Sequence, residues 1–177
     1  DLINGLSYVI NYKNRSSLKI FLQQNFVKLL DDFDPIKSNI KSLLKGSDHK
    51  WNYLSFEYFS NQQKKLTYKF EGIIGGYYQN GKRKGIGTEL GYRFQPYVSL
   101  SSLITYNSIE LESPWNKSNF WLIGAKIDIT LTNKIFFSNL YQYNKQFDLW
   151  NFNSRFQWRY KPASDLFIVF NSNEILM

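Results

Sequence analysis

Cysteine is absent from this 177-residue chain, so a disulfide framework and a thiolate metal site are both excluded. There is one histidine, His49, which leaves little material for a histidine-based metal site or triad. Proline is scarce, at four residues. No run of ~18 apolar residues occurs, so no transmembrane helix is encoded. Basic residues exceed acidic ones, 22 to 14, but they are scattered, and only Lys82-Arg83-Lys84 forms a tight run. A scattered excess fits solvated surface or pore lining better than a nucleic-acid patch, so no nucleic-acid partner is expected. The chain starts at Asp1 with no signal peptide, and is expected to be mature, trimmed or a fragment.

Aromatic residues, by contrast, make up 19% of the sequence and hydrophobic residues 43%, which excludes a disordered chain. These residues are placed with a period of two. From Leu149 to Tyr160, Trp150, Phe152, Phe156, Trp158 and Tyr160 share one parity, and Asn151, Asn153, Arg155, Gln157 and Arg159 share the other. Successive strand side chains point to opposite faces, so one face is aromatic and the other wet and cationic. The pattern recurs in Leu6–Tyr12, Leu66–Ile74, Ile86–Phe94, Val98–Tyr106 and Trp121–Leu131, and Trp51–Phe59 alternates with ambiguous facing. Ile135–Asn144 and Asp165–Asn171 are more continuously apolar. About ten strands result.

Connections near Lys13–Ser16, Asn61–Lys64, Gln95–Tyr97, Thr132–Lys134 and Lys161–Ser164 are short. Those near Leu30–Lys50, Gln79–Lys84, Glu110–Ser118 and Lys145–Asp148 are longer. A strict alternation of short and long links is expected of an outer-membrane barrel. Barrel strands need only ~9–11 residues to cross a bilayer, which these segments supply. The segment Ser17–Phe33 fits a helical stripe as well as a strand, Ile36–Leu44 also looks helical, and Pro35 would break either element.

On the polar parity lie Lys69, Glu71, Glu89, Arg93, Lys126, Asp128, Arg155 and Arg159, which would line a barrel lumen as a ladder of mixed charge. The plain alternative is a polar face turned to solvent. Tyr77, Tyr78, Tyr92, Phe94, Tyr106, Trp115, Trp121, Tyr141, Tyr143, Trp150, Trp158 and Tyr160 cluster near strand ends, where interfacial girdles sit. Of these, Tyr92, Trp121, Trp150, Trp158 and Tyr160 are the clearest membrane-interface candidates. A sugar-stacking platform would be more local. His49, within Ser47-Asp48-His49, reads as a solvated loop histidine, and no nucleophile-elbow motif accompanies it. The glycines of Gly75-Gly76…Gly85-Ile86-Gly87 lack the ending of a phosphate loop, and Asn80-Gly81 reads as a hairpin turn. Asn14-Arg15-Ser16 and Asn116-Lys117-Ser118 match the glycosylation pattern, which carries little weight in a bacterial setting. No catalytic, metal or cofactor site is expected.

Several segments resemble a large, uncharacterised family of bacterial outer-membrane barrels. Gly75–Arg83 is similar to that family's G-x-[FY]-Y-x-G-x-R hairpin, and Tyr141-Gln142-Tyr143-Asn144 to its V-Q-Y-N. Asn153–Tyr160 resembles N-x-R-[FL]-R-W-x-Y, and Pro162–Asn171 resembles P-G-S-D-L-[FW]-[LI]-V-Y-N. Ser60–Lys64 looks like the family's short charged turn. The resemblance implies strand rather than helix for Ser17–Leu30. It also implies residence in a bacterial outer membrane and association with an N-terminal family 9-like carbohydrate-binding module, which is absent here. The family ends in one more strand, so residues 1–177 are expected to form one barrel domain, the C-terminal portion of a larger barrel. It supplies no catalytic residues. The expectation is therefore an all-β, antiparallel, up-and-down transmembrane β-barrel, not an enzyme, acting as a porin-like conduit or surface anchor linked to glycan handling. Its partners would be outer-membrane lipid, with glycan or other outer-membrane proteins beside it. A non-catalytic barrel subunit of an outer-membrane assembly is the second reading, and an outer-membrane lipid hydrolase using His49 the third.

Overall fold

Period-two patterning becomes an uninterrupted meander. The computed structural model describes residues 2–36, 42–78 and 80–175. Ten strands run β1 Leu2–Asn11, β2 Ser17–Lys28, β3 Asp48–Phe59, β4 Leu66–Tyr77, β5 Gly81–Phe94, β6 Val98–Glu110, β7 Lys117–Thr132, β8 Ile135–Asn144, β9 Leu149–Lys161 and β10 Ser164–Ile175. They form one antiparallel sheet in sequence order, and the sheet is not closed: β1 and β10 each pair on one side only. No helix occurs among the described residues. Ser17–Lys28 is a strand, paired over Ser17–Phe26 with β1 and over its whole length with β3, so sheet context overrides a periodicity that fitted both structures. The helical reading of Ile36–Leu44 fails at its described ends, where Leu43 bridges Phe33; residues 37–41 lie outside the described set.

Turn chemistry sets the hairpins. Arg15, Asn80, Asn116, Asp148 and Ala163 all have positive φ in the connections. Asn14 Oδ1 accepts hydrogen bonds from the Ser16 backbone N–H at 3.0 Å and from Ser16 Oγ at 2.7 Å, so the first glycosylation-like triplet builds a turn. The expected strict alternation of loop lengths does not hold. Gly81–Lys84 join the ladder opposite Ile74–Tyr77, which shrinks the β4–β5 connection to residues 78–80. The β3–β4 connection at the opposite rim, 60–65, is longer.

The strands are staggered in one direction. Following directly paired residues from Asn11, the last of β1, the row passes Ser17, Phe59, Lys69, Glu89, Leu103, Gly124, Gln142, Asn151 and Asn173. Asn173 lies nine residues into β10 from Ser164, although β1 ends and β10 begins at the same rim. The stagger is close to one residue per strand. One ~3.3 Å step along a strand for each ~4.8 Å step across gives a tilt of about 35°, the value at which sheets close into barrels.

Directly paired side chains share a face, so the register sorts the whole sheet. One face carries Leu6, Leu22, Leu54, Phe56, Phe70, Ile86, Leu90, Ile104, Ile123, Phe156 and Ile168. The other carries the charges. The facing of β3, ambiguous in sequence, is settled by this register: Leu54 and Phe56 join the apolar face, and Ser55 and Glu57 the charged one. Burial runs opposite to a water-soluble sheet. Leu6 is 76% exposed and Ile86 63%, whereas Asn107 on the charged face is 6% exposed. The buried apolar cluster (Leu29, Ile36, Leu43, Ile109, Leu111 and Trp115) lies at the rim of the β2–β3 and β6–β7 connections.

Candidate functional site

All eight charged residues singled out from alternation lie on one face. Lys69 sits at its centre, with Nζ 2.6 Å from Glu71 Oε2 and 4.0 Å from Glu57 Oε1, and Glu89 stands opposite it in register. Lys126 Nζ pairs with Asp128 Oδ2 at 2.9 Å, and Ser138 Oγ donates to Asp128 Oδ1 at 2.6 Å. Arg159 Nε donates to Asp165 Oδ1 at 3.1 Å. Arg155 lies over the Phe167 ring at 4.6 Å, and Arg93 Nη1 donates to the Gln62 carbonyl at 2.7 Å, tying β5 to the β3–β4 turn. The ladder of ion pairs across strands expected from the sequence is largely replaced by pairs within a strand, Lys69–Glu71 and Lys126–Asp128; ion pairs across strands are Arg159–Asp165 and the 4.0 Å Lys69–Glu57 contact, and Arg93 is diverted to a turn.

Glu57 and Arg83 were missed on this face. Glu57 was hidden by the ambiguous facing of β3, and Arg83 by the expectation of a loop at Gln79–Lys84. Between the Lys69 cluster and Arg83 lies a hollow of ≈ 360 Å³, bordered by Glu57, Glu71, Arg83 and Asn107 and by the apolar Ile73, Leu103 and Leu122. Glycines create the space: a Cβ on Gly87 would press on the Glu71 side chain, and one on Gly85 would press on Ile73 and Asn107. Arg83 Nη2 donates to Asn107 Oδ1 at 3.1 Å. The hollow presents carboxylates on one side and a guanidinium on the other, and much of the rest of its lining is apolar.

The five interface aromatics all lie on the apolar face and divide between its two rims. Trp121 packs on Tyr106 (4.8 Å) and Trp150 on Tyr143 (4.9 Å) towards the β6–β7 and β8–β9 connections. Tyr92 packs on Phe94 (4.7 Å) and Trp158 on Tyr160 (5.9 Å) at the rim of the short turns. Three of the broader set leave this pattern. Tyr77, Tyr78 and Trp115 belong to the buried rim cluster, because the apolar residues of the two connections fold inward onto them.

His49 differs from its expected solvated state. It is 7% exposed, second in β3, and sits edge-on to the Tyr78 ring at 5.2 Å. Burial holds its pKa below the usual 6.5, partly offset by Asp48. His49 Nε2 lies 2.9 Å from Ser47 Oγ, a serine two residues away rather than the distant one a hydrolase reading required. Ser47 donates its hydroxyl hydrogen to the Leu44 carbonyl at 2.6 Å, so the imidazole N–H donates to Ser47. The pair is wired to hold a loop, and the ring nitrogen facing the serine is not free to take its proton.

No family model, no curated protein and no solved structure matches this chain.

Proposed function

We propose that this sheet is the wall of a transmembrane β-barrel in a bacterial outer membrane, with lipid against the apolar face and water against the charged one. The supporting observation is the distribution of exposure: large apolar side chains such as Leu6, Ile74 and Ile86 lie open on one face, while the Lys69–Glu71–Glu57 cluster and Asn107 on the other are more sheltered. The apolar stretch of β5, Ile86 to Phe94, spans about 27–30 Å along a strand and about 22–25 Å along a normal tilted by 35°, which suits an outer-membrane band. Trp150 and Trp158 on one strand bracket a similar height. Polar residues take over the apolar face beyond this band, at Lys50, Asn52, Lys82 and Lys84, which belong at headgroup level or outside it.

Within that frame the protein acts as a porin-like conduit or surface anchor. A link to glycans rests on family resemblance alone. The second reading, a non-catalytic barrel subunit of a larger assembly, is favoured by the two unpaired sheet edges. Flotation with phosphatidylcholine vesicles after refolding tests membrane residence. The protein should float with the vesicles and resist carbonate extraction; a monodisperse, detergent-free species in water would sink the reading. Planar-bilayer current then separates conduit from anchor.

A further inference from the structure

Two neighbouring connections at the short-turn rim are tied to each other. Residues 12–16 read YKNRS and residues 60–65 read SNQQKK, which puts four cations there and no acidic residue. Asn61 Nδ2 donates to the Asn14 carbonyl at 2.9 Å, and Arg15 donates to Gln63 Oε1. Asn61 Oδ1 in turn accepts the Gln63 backbone N–H at 2.9 Å, which fixes the second connection. A hollow of ≈ 520 Å³ is bordered by both connections and by the adjoining ends of β3 and β4.

The lining of this hollow is apolar towards the sheet and polar towards the turns. Tyr58, Leu66 and Tyr68 stand on the apolar face, opposite Phe70, Tyr92 and Leu90 in register. The two tyrosine rings stack with centroids 6.0 Å apart. Ser60, Lys64 and Lys65 border the hollow from the turn. Ser60 is 5% exposed, and its Oγ accepts the Tyr68 backbone N–H at 2.8 Å, which leaves the hydroxyl hydrogen to donate. Among the described residues, neither lysine ammonium has a carboxylate partner and no acidic side chain borders the hollow.

We infer that this hollow seats the headgroup of one anionic phospholipid of the phosphatidylglycerol kind, with its phosphodiester on Lys64 and Lys65 and its acyl chains along Tyr58, Leu66 and Tyr68. The inference rests on the membrane reading above, which sets the apolar face against lipid. Tyrosines, apolar in the ring and polar at the tip, belong at headgroup level. Lysines just beyond that level reach lipid phosphate. The missing carboxylate decides the headgroup. An ethanolamine or choline ammonium would bring a third cation beside two lysines with nothing to answer it, whereas a glycerol headgroup adds hydroxyls and no charge. The opposite rim is different: Glu110 stands opposite both Lys82 and Lys117 in register, so the cations there are answered from within the sheet.

The lipid that the protein keeps tests the assignment. The full chain is refolded into vesicles of phosphatidylglycerol and phosphatidylethanolamine in equal parts, floated, moved into non-ionic detergent at low salt and weighed by native mass spectrometry. One phosphatidylglycerol should stay bound, enriched about tenfold or more over phosphatidylethanolamine, since each lysine near anionic lipid contributes roughly a fivefold factor. The Lys64→Gln/Lys65→Gln chain should float and lose the enrichment. The Lys64→Arg/Lys65→Arg and Lys82→Gln/Lys84→Gln chains should keep it. The single Lys64→Gln and Lys65→Gln chains, each losing about fivefold, carry the test should the pair not float. Equal retention of the two lipids, or enrichment that survives Lys64→Gln/Lys65→Gln, overturns the site and leaves membrane residence intact. Enrichment lost only in Lys82→Gln/Lys84→Gln moves the lipid to the opposite rim and also overturns it. Displacement of the lipid by inorganic phosphate makes this a free-anion site and overturns the phospholipid assignment. Failure of the unsubstituted chain to float overturns the membrane reading itself.

Discussion

At residue scale, His49 illustrates how a polar side chain can be committed to structure. Its ring is sheltered by Tyr78 and donates to Ser47, whose own hydrogen is spent on Leu44. Burial favours the neutral ring, so the folded pKa lies below 6.5. The sign follows: above about pH 6.5 both folded and open forms are neutral and the loop keeps its full stability. As pH falls through 6.5 towards the folded value, the open form takes up the proton first and stability is lost. Exchange of the Leu29, Phe33 and Leu43 amides, which are hydrogen-bonded across this connection, should therefore accelerate as pH falls from 7 to 5, after correction for intrinsic rates. The His49→Gln chain should show a flat profile. His49 could not be placed from sequence, because its shelter comes from Tyr78 in another connection and from the bend that brings Ser47 to its ring, contacts that a reading of periodicity does not reach.

At the scale of the element, alternation was enough for β5, β6, β7 and β9, where a two-residue period ran through clear apolar and polar sets. It was not enough for β2, where Leu18, Leu22 and Phe26 satisfy both periods, Phe21 fits the helical one, and only pairing with β1 and β3 decides. The eight charged positions were legible because a strand in a staggered sheet keeps its parity from rim to rim. What those charges touch was not legible, since it depends on the register between strands. Adjacent residues of β6 give a direct test of facing. Leu103 lies on the charged face opposite Glu89, and Ile104 on the apolar face opposite Thr88 and Ile123. In vesicles Ile104→Arg should cost about 2–4 kcal/mol of folding stability if it sits near mid-depth. Leu103→Arg gains a carboxylate neighbour and should cost less than about 1 kcal/mol. Urea titrations by tryptophan fluorescence read both, and the reverse order would mean that the charged face is the one excluded from water.

For the whole molecule, the excess of positive charge has a position as well as a size. Lys50, Lys82, Lys84 and Lys117 all extend from the apolar side of the sheet beyond its hydrophobic band, at the rim of the β2–β3, β4–β5 and β6–β7 connections. With the proposed membrane placement, cations there would meet lipid phosphates at the headgroup level. Refolding into vesicles containing anionic lipid should be faster than into neutral vesicles at low salt. The difference should collapse near 1 M salt, where screening shortens the electrostatic range to about 3 Å. Replacing Lys82 and Lys84 together with glutamine should remove much of the difference while leaving uptake by neutral vesicles unchanged.

Each strand of the meander pairs only with its neighbours in sequence. Every hairpin is thus a self-contained unit whose contacts are local, so the chain can zip from one turn to the next without searching for distant partners. The same locality makes the architecture extensible. A hairpin duplicated or deleted as a unit leaves all other registers as they were and changes only the width of the sheet. Strand number is then a quantity that can be altered two strands at a time without rewiring the fold.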